Sequence, residues 1–104
     1  MYIRVVTFAL TIPADEYEGI ATELAPGFTE WPGLLAKWWL GDVPSGTYGG
    51  VYLFSCREAA DLSRGTALFT GLLESPALRD VEIREYDLLE APTSVTAPVM
   101  QPVA

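Results

Sequence analysis

From Tyr2 to Leu10 the chain is almost unbroken in β-branched, aromatic and aliphatic residues and contains neither Gly nor Pro. Side chains alternate along an extended segment. Ile3, Val5, Thr7 and Ala9 therefore share one face, and Tyr2, Arg4, Val6, Phe8 and Leu10 the other. Both faces are largely apolar, which predicts a strand covered on both sides. The period then changes. Thr11, Ile12 and Pro13 read as a helix start with Thr11 as the cap, and Asp15, Glu16 and Glu18 fall at the positive end of the helix dipole. Tyr17, Ile20, Ala21, Leu24 and Phe28 recur at helical spacing. Pro26 and Gly27 are expected to kink or end that helix, leaving a displaced turn up to Trp31.

Pro32 and Gly33 precede a second strand, Leu34 to Leu40. Gly41 to Thr47 has the composition of a hairpin loop. The third strand, Tyr48 to Ser55, opens on Gly49 and Gly50, where a bend or a close backbone approach is expected. Ser55 and Glu58 have the spacing of a capping box. Behind them Ala59, Leu62, Thr66, Phe69 and Leu73 predict one helix to Glu74, stopped by Ser75 and Pro76. Val81 to Leu88 reads as the fourth strand. The order β-α-β-β-α-β is the ferredoxin-like α+β sandwich, an antiparallel four-stranded sheet with its helices on one face. One domain is expected over residues 1–90, with 91–104 an extended, Pro-containing C-terminal tail. The helix-free face keeps its apolar positions, and the simplest cover is a second copy of the same sheet. That predicts a homodimer closed as a dimeric α/β barrel, with the tail free to lie across a partner subunit.

Composition sharpens this picture. A chain of 104 residues is one domain, yet 50% of it is hydrophobic and 12% aromatic. That is more apolar material than a small core hides, so a partner surface, a lined pocket or both are expected. The net charge of −8 repels phosphate backbones and argues against nucleic acid as a partner. The absence of a long apolar run or a leader pattern, with the single Cys56, gives the expectation of a cytoplasmic protein with no membrane segment. There is no histidine. With one cysteine besides, a zinc site, a Cys–His pair and a Ser–His–Asp triad are excluded. Gly27, Gly49 and Gly50 form no phosphate loop. Chemistry falls to carboxylates, Tyr, Lys, Arg, Trp or the substrate itself, and no cofactor is expected.

Three stretches carry a family resemblance. Trp31-Pro32-Gly33-Leu34-Leu35-Ala36-Lys37-Trp38-Trp39 resembles the turn and second strand of the YdhR-like mono-oxygenases. Gly49-Gly50-Val51-Tyr52-Leu53-Phe54 resembles their third strand, and Tyr86-Asp87-Leu88-Leu89-Glu90-Ala91-Pro92 the end of their last. Spacing and element order agree over residues 4–96. The resemblance implies a dimeric α/β barrel related to the antibiotic-biosynthesis monooxygenases. Some of those relatives oxidise aromatic polyketides with dioxygen and neither metal nor flavin; others degrade haem through a histidine ligand, which this chain lacks.

Adjacent strand residues point to opposite faces, so at most one of Trp38 and Trp39 enters a pocket between sheet and helices; the other faces a subunit interface. One of them, with Tyr52, Phe54 and Tyr86, is the expected substrate-binding lining, against the plainer reading that these rings pack core or interface. Lys37, Arg4 and Arg84 lie within predicted strands. Such charges ordinarily sit at an exposed edge or pair with neighbours, and Glu82 and Glu85 are available to Arg84. The sharper reading makes Arg84 or Lys37 the cation that stabilises a phenolate or enolate as it forms, with Tyr52 as a hydrogen-bonding or proton-shuttling group. Tyr48 is a further candidate of that kind. Cys56, at a helix start, and the acids Asp15, Glu16 and Glu18 read as structural or solvated.

The function expected on this basis is cofactor-independent monooxygenation of a small hydroxylated aromatic or quinone-like compound. The rival is a non-catalytic dimer that binds a small hydrophobic molecule or serves as a structural module. An isomerase or lactone-handling enzyme on the same scaffold is a third reading.

Overall fold

The computed structural model describes residues 1–97. Its elements are β1 (Tyr2–Leu10), α1 (Ala14–Phe28), β2 (Leu34–Asp42), β3 (Thr47–Phe54), α2 (Arg57–Ser63), α3 (Ala67–Glu74), β4 (Leu78–Asp87) and α4 (Glu90–Thr96). The four strands form one antiparallel sheet in the order β2-β3-β1-β4. This is the ferredoxin-like α+β fold expected from the hydrophobic pattern. No helix among the described residues is long and apolar enough to cross a membrane.

β1 alternates as its pattern requires. Tyr2, Arg4, Val6 and Phe8 are buried on the helix side, and Ile3, Val5, Thr7 and Ala9 are half-buried on the other. The register carries this alternation across the sheet. Arg4 pairs with Tyr52 and Glu85, and Lys37 with Tyr52, so all four share the helix-side face. Val5 pairs with Val51 and Arg84, Ile3 with Tyr86, and Trp38 with Val51, so these occupy the open face.

Several local expectations are corrected. α1 runs through Pro26 to Phe28 rather than ending there. Pro26 and Thr22 are both exposed, so the carbonyl that Pro26 leaves without a donor can bond to water, while buried Phe28 anchors the last turn. Thr11 does not cap α1; its hydroxyl donates to the Pro76 carbonyl at 2.6 Å, and Pro13 is the N-cap. The Ser55 capping box does not form either, since Cys56 is the N-cap of α2 and makes no side-chain capping bond. The single helix expected after it is two, because Gly65 is a poor helix former. Thr66 then starts α3 by accepting a hydrogen bond from the Phe69 N–H at 3.3 Å.

β4 begins at Leu78, before Val81, through a register shift between Thr7 and Ala9 and an Asp80 with φ of 57°. The tail is helical over Glu90–Thr96 instead of extended. Pro92 falls in its first turn, where a missing N–H costs no helical bond, and the Met1 ammonium holds Glu90 at 2.7 Å. The remainder of the expected tail, residues 98–104, lies outside the described residues.

Gly49 has a φ of 156° and lies so close to β1 that a Cβ there would meet the Val6 carbonyl oxygen at 1.8 Å. Only glycine fits, as its sequence context anticipated.

Candidate functional site

α1 rests on the sheet through rings. Tyr17 meets Phe8 and Tyr48 edge-on at 5.7 and 5.6 Å. Phe28 meets Trp31, Trp39 and Tyr52 edge-on at 4.9, 5.5 and 6.1 Å. Such long side chains hold the helix off the strands. The space left, a cavity of about 380 Å³, is closed on its other side by α3. Its walls are almost wholly apolar: Ile20, Leu24 and Phe28 from α1, Leu68 and Leu72 from α3, and Trp39 and Tyr52 from the sheet. The size and character suit a one- or two-ring ligand. A more open groove of about 540 Å³ adjoins it between α1 and the β2–β3 hairpin, and Tyr17, Ala21 and Trp39 line both spaces.

Among the described residues Lys37 is the one charged side chain on the cavity wall. Its Nζ stands 3.4 Å from the Trp39 ring centroid, 3.5 Å from Phe28 and 4.5 Å from Tyr52. Gly50 makes room for it, since a Cβ there would lie 3.0 Å from Lys37 Cε. Among the described residues Lys37 has neither a hydrogen-bond partner nor a carboxylate within ion-pair distance. Burial pushes its ammonium down to about 7 from the ordinary lysine value of 10.5. The ring faces work the other way, since they attract a cation. Both protonation states are therefore within reach near neutral pH. Burial also raises the Tyr52 phenol far above its ordinary value, only partly offset by the charge of Arg4, so Tyr52 stays protonated.

Next to the cavity lies a structural ion network. Arg4 is fully buried. Its Nε donates to Glu85 Oε2 at 2.6 Å, and its terminal nitrogens donate to Ser63 Oγ and the Ala60 carbonyl, each at 2.9 Å. The guanidinium also stands over Phe54 and Phe69 at 5.0 and 5.2 Å. Arg64 reaches the same Glu85 oxygen at 3.1 Å. Burial alone would raise the Glu85 carboxyl, but the hydrogen bond and charge of Arg4, with Arg64, hold it below the ordinary carboxylate value. Arg4 is thus a fully satisfied core cation, paired with its cross-strand neighbour Glu85 rather than placed at an exposed edge.

The seven expected site residues divide. Lys37, Trp39 and Tyr52 meet at the cavity. Phe54 is fully buried, stacked with Tyr52 and Trp31 at 6.2 and 6.4 Å, and is core rather than wall. Trp38, Tyr86 and Arg84 are on the open sheet face, 45% exposed in the case of Trp38. Arg84 pairs there with Glu82 at 3.8 Å. These three are not on the helix-side cavity, because β2 and β4 present alternate residues to it. Tyr48 lines the groove. The α3 wall was not anticipated, since Leu68 and Leu72 belong to no stripe read from the sequence.

The sequence model of the family described as "Putative mono-oxygenase ydhR" matches residues 3–98. The chain belongs to this family. No curated protein sequence matches it. Among solved structures, SnoaB from Streptomyces nogalater, a cofactor-independent oxygenase, is similar with a TM-score of 0.70 at 17% identity, covering 84% of this chain and 91% of that one. An antibiotic biosynthesis monooxygenase matches with a TM-score of 0.69 at 21% identity, over 86% and 99% of the two chains. MhuD, in a variant carrying two manganese protoporphyrin IX molecules per active site, matches with 0.67 at 18% identity, over 86% and 95%. At these identities the likeness concerns the fold.

Proposed function

We propose that the chain oxidises a small hydroxylated aromatic or quinone-forming compound with dioxygen, without a cofactor, in the cavity between α1, α3 and the sheet. The observation that carries this reading is Lys37, a cation without a carboxylate partner enclosed by Phe28, Trp39 and Tyr52 on an otherwise apolar wall. Membership of a mono-oxygenase family supports it, as does the likeness of fold to SnoaB, itself a cofactor-independent oxygenase.

A flat substrate stacks against Trp39, whose ring is partly exposed on the wall. Neutral Lys37 accepts the proton of an acidic hydroxyl or of a ring methylene conjugated to it. The resulting ammonium stays beside the carbanion or phenolate and stabilises it against a mostly apolar wall. The electron-rich anion then reduces dioxygen itself. For a methylene carbon the balance closes with no other reductant. One oxygen atom becomes the new carbonyl oxygen, the other leaves as water with the two methylene hydrogens, and both electron pairs come from the substrate. The chain has no histidine, the usual ligand to a porphyrin's metal. The apolar wall equally supports the rival reading of a binding module for a small hydrophobic molecule, which separates from the first by turnover.

The test is dioxygen uptake by the purified protein with anthrones, naphthols and flavonols. Uptake above autoxidation supports the oxygenase. Binding without uptake, seen as quenched tryptophan fluorescence, supports the module.

The working unit in this reading is a homodimer joined through the open sheet face. Trp38, Leu40 and Tyr86 are exposed there beside half-buried Ile3, Val5 and Val51, an apolar sheet surface of the kind a second copy covers. Light scattering at micromolar concentration is expected to give the mass of a dimer. Trp38→Asp places a charge in that face and is expected to yield a folded monomer; a monomeric parent protein would remove the barrel from the account.

A further inference from the structure

The chain has five arginines and one lysine, Lys37. A guanidinium stays protonated in proteins and forms no simple imine with an aldehyde. Every cation that the fold uses for pairing is an arginine or the N-terminus: Arg4 and Arg64 on Glu85, Arg79 on Asp80, Arg84 on Glu82, and Met1 on Glu90. The single primary amine on a side chain is the one placed on the cavity wall, with no acceptor or carboxylate to hold it protonated among the described residues.

We propose that Lys37 is an amine nucleophile that condenses reversibly with aromatic aldehydes and ketones admitted to the cavity. The Nζ lone pair attacks the carbonyl carbon, so an N–C bond forms as the C=O π bond breaks. The carbinolamine then loses its oxygen with the two amine protons as one water, leaving a C=N bond. Nothing is oxidised or reduced, so this activity needs neither dioxygen nor a cofactor and does not depend on the oxygenase reading. Two features of the site favour it. The Trp39 ring, partly exposed on the wall beside the amine, can stack an aryl carbonyl compound there and raise its effective concentration. The rest of the wall is almost wholly apolar, so among the described residues it offers a carbonyl compound no competing amine or carboxylate. Burial that lowers the ammonium to about 7 leaves much of the amine free at neutral pH.

The chemistry is directly readable, because the α-amine of Met1 and Lys37 Nζ are the only primary amines in the chain. The full chain is incubated at pH 7.5 with 2-naphthaldehyde and cyanoborohydride, which fixes an imine as a stable secondary amine. Intact mass and peptide mapping then locate the adduct. Labelling at Lys37 is expected to run at least about tenfold faster than at Met1, and at least that much faster than at Lys37 in the urea-unfolded chain. Lys37→Arg keeps the charge and is expected to lose the fast adduct while Met1 labels as before. Leu68→Trp leaves the lysine in place but fills the cavity, and is expected to slow labelling severalfold. Labelling at Met1 alone, or equal rates at Lys37 in folded and unfolded chains, would overturn the proposal.

Discussion

Arg4→Ala is expected to destabilise the fold by about 3–5 kcal/mol, the cost of removing one partner from a buried, hydrogen-bonded ion pair. The substitution deletes three hydrogen bonds, to Glu85, Ser63 and the Ala60 carbonyl. It also leaves a void among Tyr52, Phe54 and Phe69, whose ring faces the guanidinium covers. Urea unfolding reads the loss as a fall in midpoint at constant slope. Arg4→Lys is expected to recover only a minor part, because one ammonium cannot reach three partners in the divergent directions a guanidinium serves. The network adds a pH dependence of known sign. The folded-state Glu85 carboxyl is depressed, so its contribution is complete above the ordinary carboxylate range and is lost as pH falls through the folded value. Glu85→Gln is expected to flatten that acid limb. A loss below about 1 kcal/mol in Arg4→Ala would mean that the cluster is incidental to the core.

Lys37→Met is expected to act in the opposite direction on stability and to abolish turnover. In the proposed reaction Lys37 is the proton acceptor, a role worth about 10²–10⁴ in rate, and that is the expected fall in dioxygen uptake. Stability follows from the depressed ammonium. Below about 7 the lysine is protonated in folded and unfolded chains alike, and the cost of burying the charge is fully present. Between about 7 and 10.5 the folded chain releases the proton while the unfolded chain keeps it, so stability climbs with pH and levels off above 10.5. Methionine removes the slope. At pH 6 the variant is expected to be more stable than the parent by about 1–3 kcal/mol, a range discounted for the solvent that still reaches the side chain. A residue whose removal stabilises the fold while ending activity is kept for function. A variant less stable than the parent at pH 6 would instead make Lys37 a packing residue held by its rings.

The contrast between Arg4 and Lys37 also marks what the sequence could reveal. Strand alternation and element order were legible, because the apolar run of β1 and the turn punctuation after it mark out β-α-β-β-α-β. From alternation alone, the opposed directions of Trp38 and Trp39 follow. Which face the helices cover does not follow from a strand whose two faces are equally apolar, and so Tyr86 and Arg84 were grouped with the cavity residues although β4 points them away. That Arg4 is paired rather than at an exposed edge does not follow from the local sequence, since its partners come from β4 and α2, far off in sequence. α4 was hidden by Pro92, whose composition signal argues against a helix although its first-turn position permits one. The α3 wall was missed because the break at Gly65 and Thr66 starts a new helix there. The significance of Lys37 was half visible: one lysine among five arginines is plain in the sequence, but its enclosure by Phe28, Trp39 and Tyr52 needs three elements to converge.

The most direct test of the account is the titration of that amine. With 15N-labelled lysine, a chain containing a single lysine gives one side-chain resonance, so its midpoint is read without assignment. A midpoint near 7 is expected in the folded protein, returning to the ordinary value in urea. A folded-state midpoint near 10.5 would contradict it, leaving a permanently charged lysine that could neither take a substrate proton nor attack a carbonyl.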